Sequence, residues 1–421
     1  MRLLVVTQYF WPENFRINDL VAELNRRGHD VTVLTGWPNY PEGDIFSDFS
    51  KNPSIFDVYQ GATVIRVPMV PRGKGNLKLM LNYFTFALSA SLLGPWRLRG
   101  RRFDAIFTCQ LSPVTVGIPA AIMRAVKNVP MAFWVLDLWP ESLQAIGVVR
   151  SKFVLGLVGK IVSRIYGHCD LILAQSRSFI PQIAKYCGPL GQIEYFPSWA
   201  ESIFDMQDVL PATEVPSRPG MFTVMFAGNI GDAQDFPAIL AAAESLKNCP
   251  RIRWLIVGDG RMAGWVANEV KVRGLQDSIL LLGRYPVERM PSFFKHADVL
   301  LVSLKDEPIF SLTIPGKLQS YLAAGIPVLA MLNGEGAEVV RNAGAGLTCK
   351  AGDHEALARS VLTLSEMPIH ERKAMAMKGV TLSKEEFGRA RLVDQLEASL
   401  LKLRGQWKSA SRSKPSAGLL P

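Results

Sequence analysis

Residues 301–330, LVSLKDEPIFSLTIPGKLQSYLAAGIPVLA, constrain this chain more than any other stretch. The apolar run Val299 to Leu304 predicts a buried strand. A polar loop with two prolines follows, then a helix entered at Pro315 and running to Ala324, a stop at Gly325, and a second apolar strand to Ala330. That is one βαβ unit. A loop at the carboxyl end of a parallel strand, followed by a helix whose free N–H groups face it, is where α/β proteins bind anions. Lys317 falls in the first turn of that helix, where the dipole disfavours a cation. Either it is a solvated lysine, or a diphosphate occupies the site and Lys317 is there to meet it.

At 421 residues the chain is too long for one ordinary core, and two or three domains are expected. The first half alternates strand and helix. Strands are expected at Leu3 to Val6, Val31 to Leu34, Val64 to Val67, Ala105 to Thr108, Met131 to Leu136 and Leu171 to Ala174. Helices are expected at Ile17 to Arg26, Val114 to Val126 and Phe153 to Tyr166, whereas the prolines and glycine of 36–60 argue against regular structure there. Residues 197–220 hold four prolines and read as an inter-domain linker. The alternation then restarts with strands Phe222 to Ala227, Trp254 to Val257, Ile279 to Leu282 and Gly346 to Cys349, and helices Phe236 to Leu246, Met262 to Arg273 and from His354 onward. The fold class is therefore α/β, with two doubly wound domains in tandem and a cleft between them. The expected bounds are 1–198, a linker at 199–220, 221–385, a C-terminal helix at 386–407 and a disordered tail at 408–421.

The net charge of +10 is not evenly spread. Arg66, Arg72, Lys74, Lys78, Arg97, Arg99, Arg101 and Arg102 fall in a window without any acid. Between its basic flanks runs Leu79 to Trp96, apolar apart from Asn82 and some hydroxyls. Three readings stand: a buried domain helix, a helix that also touches an anionic bilayer, and a membrane span, which Asn82, Gly94 and Pro95 disfavour. No recognition fold for nucleic acid is visible. The amino terminus lacks the h-region of a signal peptide, so a cytosolic location is expected. The five cysteines are widely spaced with no C-x-x-C pair, so each reads as a small core residue.

Phe222 to Asp232, FTVMFAGNIGD, is a strand feeding the glycine loop Gly228-Asn229-Ile230-Gly231, with Gln234 near the next helix. Such glycines let the backbone approach a phosphate, although tight turns use them too. Gly258 to Ala263 formally matches G-x-G-x-x-A, with Asp277 beyond it. It follows the second strand of its domain and Asp277 precedes a strand, so packing explains these glycines better than NAD does. In the first domain FWVLDLWPESL places Asp137 just past a strand and Glu141 four residues later, either as cleft-facing acids or, for Glu141, as a helix-start residue. Glu13, Asn14 and Arg16, after the first strand, are expected on the same side. No D-x-D triplet or metal spacing occurs, and Walker and nucleophile-elbow motifs are absent.

Together, TQYFWPEN, GHDVTVLTGWPNYPEG at 28–43, DLWPES at 137–142, FAGNIGDAQ at 226–234, LLGRYP at 281–286 and TIPGKLQSYLAAGIPVLA at 313–330 resemble the family 4 glycosyltransferases. Among these it resembles WbuB-type bacterial O-antigen and exopolysaccharide transferases, associated with N-acetyl-fucosamine transfer. The resemblance runs through residues 1–400. It implies the GT-B fold, two Rossmann-like domains facing a central cleft. Donor nucleotide sugar then binds the C-terminal domain and acceptor the N-terminal one, with retention and without metal or other cofactor.

By position the resemblance implies a donor site at Gly228, Asn229, Ile230, Gly231, Gln234, Gly283, Arg284, Lys317 and Gln319. It implies catalytic roles for Asp137, Glu141 and Lys317, and acceptor contacts at Glu13, Asn14 and Arg16. Lys317 would pair with the diphosphate and Gln319 would face the ribose. The chain departs from the family pattern where Ser311 and Gln319 replace two glutamates, and where Asn229 and Gln234 replace a basic pair. The implied partners are a nucleotide sugar, with UDP favoured over GDP, a lipid-linked saccharide and the anionic inner leaflet. A sugar-nucleotide epimerase of related fold and a non-catalytic lipid- or partner-binding protein are the alternatives.

Overall fold

The computed structural model describes residues 1–412 apart from Lys74, Ile146, Val148, Arg150, 189–191 and 206–208. Contacts divide the chain into two units, Met1–Pro197 with Ala390–Pro421, and Ser198–Arg389.

The first unit carries β1 (Arg2–Thr7), β2 (Asp30–Gly36), β3 (Val58–Tyr59), β4 (Ala62–Val67), β5 (Ala105–Gln110), β6 (Met131–Val135), β7 (Leu171–Ala174) and β8 (Ile193–Tyr195). They form one sheet in the order β3-β4-β2-β1-β5-β6-β7-β8, parallel throughout except for β3 against β4. Strands β1, β5 and β6 are almost wholly buried, which is why they read as unbroken apolar runs: a parallel sheet covered on both faces has no polar side. The strand order reverses at β1, between β2 and β5, so the loops after β1 and β5 flank the unit's natural binding crevice.

The second unit carries β9 (Phe222–Ala227), β10 (Ile252–Val257), β11 (Ile279–Gly283), β12 (Val299–Ser303), β13 (Val328–Met331) and β14 (Gly346–Cys349), in the order β11-β10-β9-β12-β13-β14. All its pairings are parallel. The reversal falls between β9 and β12. The loops that follow those two strands are the glycine loop and the segment leading into the helix Gly316–Ala323.

Several expectations need correction. The region 36–60 is not wholly irregular: Ser47–Lys51 is helical and Pro53–Asp57 is a 3-10 turn, because Phe49 and Phe56 pack on each other and on Trp37 and Trp11. Residues 199–220 are no free linker. Ala212 and Val215 are buried in the second unit, Ala212 N–H donates to Ser292 O at 3.0 Å, and Phe204 stacks on Phe294 at 5.4 Å. The last helix spans Arg389–Arg412, so 408–412 are helical, while 413–421 lie outside the described residues. It also joins the first unit and not the second, burying Leu392, Val393, Leu396 and Leu400 there. Of the cysteines only Cys109 is buried; the others are half-buried.

The apolar run before Trp96 is the long helix Asn76–Arg97. It is long and apolar enough to cross a bilayer, yet it packs in the domain through Tyr83, Phe86, Ala87 and Ala90. Asn82 explains itself here. Fully buried, it accepts from Gln8 Nε2 at 2.7 Å and Tyr9 Oη at 2.9 Å, and donates to Asn39 and Val70, tying the helix to the loops after β1 and β2. The opposite stripe, with Leu77, Leu81, Phe84, Leu88 and Leu92, stays exposed. Arg66 is not part of the surface charge. It is buried, and its guanidinium caps the carbonyls of Gly36 and Trp11, with burial lowering its pKa to about 10. Lys74 lies outside the described residues.

Candidate active site

In the second unit the chain leaves β9 at Ala227, whose N–H and C=O are both held by the buried hydroxyl of Tyr321 at 2.9 Å. Tyr321 sits on the helix Gly316–Ala323, so this pair fixes the glycine loop against the helix that carries Lys317. Gly228 then turns with φ +139, and a Cβ there would lie 3.1 Å from Lys317 Nζ. The ammonium itself sits 3.8 Å above the Phe226 ring, closed from water and without a hydrogen-bond partner. Burial lowers its pKa to about 7. A cation placed on an apolar face with no anion costs stability, which folding tolerates where a ligand supplies the missing charge.

The loop 228–234 is braced from two sides. Ile230 N–H donates to Asp259 O at 2.8 Å and Met262 N–H to Ile230 O at 2.9 Å, lacing it to the loop after β10. A Cβ on Gly258 would stand 1.8 Å from Gly228 O, and one on Gly260 2.5 Å from Ile230 O. The G-x-G-x-x-A match thus serves loop-to-loop packing. Gln234 closes the other end: its side-chain oxygen accepts from Gly231 N–H at 3.0 Å and its carbonyl accepts from Ser303 at 2.7 Å. Gln234 is therefore committed to the loop's shape. Asn229 and Gly228 are exposed, while Ile230 is buried.

Gly283 ends β11 with φ +77, exposed beside the exposed Arg284, and its carbonyl accepts from Gly258 N–H. Gln319 departs from the expectation. It is fully buried, and its amide nitrogen, oriented to satisfy the network, lies 2.9 Å from Gly316 O and 3.0 Å from Pro315 O. It braces the first helical turn from within the fold. Ser311 is half-buried, and Gly334 packs so closely on its backbone carbonyl that a Cβ there would fall 1.9 Å away.

In the first unit Asp137 follows β6, with Trp139 Nε1 donating to its Oδ2 at 3.0 Å, and burial raises its carboxyl above the usual range. Glu141 opens the short helix Glu141–Ala145. Its Oε1 accepts from Tyr186 Oη at 3.1 Å, while Oε2 is buried without a partner. Glu13 is a loop organiser. It is buried; Oε1 accepts from Asn39 and Tyr40 N–H at 2.8 Å and Oε2 from Phe10 N–H at 3.0 Å, and burial still raises it to about 7. Asn14 is exposed next to it, and Arg16 begins the helix Arg16–Arg26. Around these loops lie aromatic faces that single positions did not announce: Tyr9, Phe15 and Tyr40 within 5.8 Å of one another, and Tyr83 at 6.1 Å from Trp139. Arg72 covers Tyr40 at 5.3 Å. Flat rings edged by hydroxyls and a cation suit a saccharide.

Residues 221–367 match the family model described as glycosyl transferases group 1, and residues 14–199 match that described as glycosyl transferase 4-like domain. The chain is a glycosyltransferase. It belongs with the family 4 transferases of GT-B fold. Among curated proteins it is 26% identical over 348 residues to the putative colanic acid biosynthesis glycosyl transferase WcaI of Escherichia coli K12, covering 77% of this chain and 82% of that one. Among solved structures it is similar to Anabaena Alr3699/HepE in complex with UDP and glucose, with TM-score 0.66, 12% identity, and coverage of 96% and 100%. It is also similar to WaaG, a glycosyltransferase involved in lipopolysaccharide biosynthesis, with TM-score 0.63, 13% identity, and coverage of 94% and 98%. Those two likenesses concern the fold.

One cation of this glycosyltransferase was hidden in the sequence. Arg261, exposed on the loop after β10, reaches Asp232 of the glycine loop at 3.5 Å. It occupies the neighbourhood from which the expected basic pair is missing. The only signal for it was its place inside the glycine-rich Gly258 to Ala263 segment.

Proposed function

We propose that this glycosyltransferase moves a sugar from a nucleoside-diphosphate donor, UDP in preference to GDP, to a hydroxyl of a lipid-linked saccharide, with retention, in cell-surface polysaccharide assembly. N-acetyl-L-fucosamine is the donor sugar that the WbuB-type resemblance suggests, and O-antigen or exopolysaccharide the product class. The observation that carries this reading is the Lys317 ammonium, buried without a partner on Phe226 at the edge of the Gly228 loop. The relatives' names add support: WcaI is described in colanic acid biosynthesis, and HepE was solved with UDP.

In the proposed reaction the bond from the sugar's C1 to the diphosphate breaks, and the acceptor oxygen bonds to C1 on the same face. The acceptor's proton passes to a leaving diphosphate oxygen. Lys317, with Arg261 and Arg284 nearby in the same unit, offsets the charge that grows on that group. Asp137 orients the acceptor or sugar hydroxyl, with Glu141 behind it.

The test is a thermal-shift panel of UDP, GDP, dTDP and NAD, repeated on Lys317→Ala. Ligand binding to the folded state alone raises the melting temperature by mass action. A shift with one nucleoside diphosphate that shrinks in the variant is the expected result. A response to NAD alone would overturn the reading.

A peripheral location at the cytosolic leaflet belongs to the same proposal. The exposed stripe Leu81, Phe84 and Leu88 between Lys78 and Arg99 has the make-up of an interfacial helix. Phe84→Ser with Lys78→Gln and Arg99→Gln should cut pelleting with phosphatidylglycerol vesicles. Unchanged pelleting would remove this part.

A further inference from the structure

The helix Lys152–Tyr166 is fully buried only near its C-terminal end. Val162, Ile165 and Tyr166 are its buried residues, while residues 152–161 bury none. That free half is apolar. Phe153 is 83% exposed, and Leu157 and Ile161 continue its line at helical spacing. Its charges are Lys152, Lys160 and Arg164, with no acid anywhere on the helix.

Beside this half lies a cavity of about 540 Å³, walled by Pro140, Gly159, Lys160, Ser163, Lys185 and Tyr186. Two ammonium groups and two hydroxyls line it, and no carboxylate does among the described residues. Gly159 permits the closeness of the walls, since a Cβ there would already touch the Tyr186 ring at 3.3 Å. Gly156 opens on empty space. The cavity adjoins the reaction loop, because Pro140 precedes Glu141 and Tyr186 Oη donates to Glu141 Oε1.

We propose that this cavity binds the diphosphate of a prenyl-diphosphate-linked acceptor, with the apolar half of helix Lys152–Tyr166 lying along the first isoprene units. A free phosphate would leave the apolar stripe without a purpose. A bilayer surface alone would leave paired lysines beside the Asp137 to Glu141 loop without one. An amphiphile with a doubly charged head accounts for both, and its saccharide end then reaches the loop where transfer is proposed. The inference rests on the transferase reading above and gives its acceptor a place.

The experiment is flotation of the full chain with neutral phosphatidylcholine vesicles, plain or doped with undecaprenyl diphosphate. Doping should raise the bound fraction. Lys160→Ala with Lys185→Ala should cut that gain about tenfold or more, as the loss of two charge-assisted contacts implies. Gly156→Leu fills the cavity mouth, and as a glycine replaced within a helix it does not threaten folding, so it should cut the gain as well. If doping has no effect, or if both variants float like the parent, the site is refuted. UDP thermal shifts on the same samples separate the two failures. Loss of the shift in the parent chain sinks the transferase reading, whereas a preserved shift with unchanged flotation sinks only this site.

Discussion

Lys317→Ala is expected to lower transfer by about a hundred- to a thousandfold, the usual loss when one charge aimed at a developing anion is removed. The same residue should make UDP binding pH-dependent. In the empty protein its pKa is depressed to about 7 by burial against Phe226. A diphosphate alongside favours the charged form, so binding takes up a proton at alkaline pH, and affinity should fall by up to about tenfold per pH unit above 7. Isothermal titration in two buffers of different ionisation heat reads that uptake directly. Stability moves in the opposite sense. The unfolded chain keeps this proton to about 10.5 while the folded one releases it above about 7, so the group's cost to folding is full below pH 7 and fades as pH rises toward the unfolded value. At neutral pH that cost is up to about 4 kcal/mol. Lys317→Met should therefore melt several degrees higher at neutral pH while losing activity. A variant that melts lower would show that the ammonium has a partner in the free protein.

Asp137→Asn is expected to reduce kcat by about a hundredfold or more and to leave the UDP-induced shift intact, since the residue lies in the first unit and the glycine loop in the second. Asparagine preserves the shape and can still accept from the Trp139 indole, so lost activity would report lost charge or basicity. Because burial raises this carboxyl, the acid limb of the rate profile should set in at a higher pH than an ordinary aspartate gives. Activity of the variant within a few-fold of the parent would exclude Asp137 from the chemistry.

The central strands were legible because they are buried on both faces; β7 and β9 begin and end where the apolar runs do. The edge strands of the first sheet were not. β3 and β8 are two and three residues long and half-exposed, so no apolar run announces them. The places of the glycine loop, Lys317 and Asp137 in the fold could be read by position, since each directly follows a strand or opens a helix. The surroundings of Glu13 and Gln319 were not legible, for one reason. Each is polar and sits beside a loop, but its partners are decided elsewhere: Glu13 is claimed by Asn39 and Tyr40, and Gln319 turns back on Pro315 and Gly316. A sequence shows that a polar residue is present, not that backbone groups have already used it. Asn82 is the converse case, a blemish in an apolar run that proves to be the knot joining a helix to two loops.

The helix Arg389–Arg412 closes on residues made long before it. Arg27 pairs with Asp394 and Glu397, Ser399 donates to Glu194 at 2.7 Å, Arg404 meets Asp104 at 3.1 Å, and Trp407 donates to Asn128 O at 3.0 Å. During synthesis the first unit must therefore wait, with the apolar groove for Leu392, Leu396 and Leu400 uncovered, until the whole second unit has left the ribosome. At typical elongation rates of about 5–20 residues per second that delay lasts on the order of ten to forty seconds. For that interval an apolar groove stands open to wrong partners, an exposure that a first unit built from one continuous stretch of chain would not have.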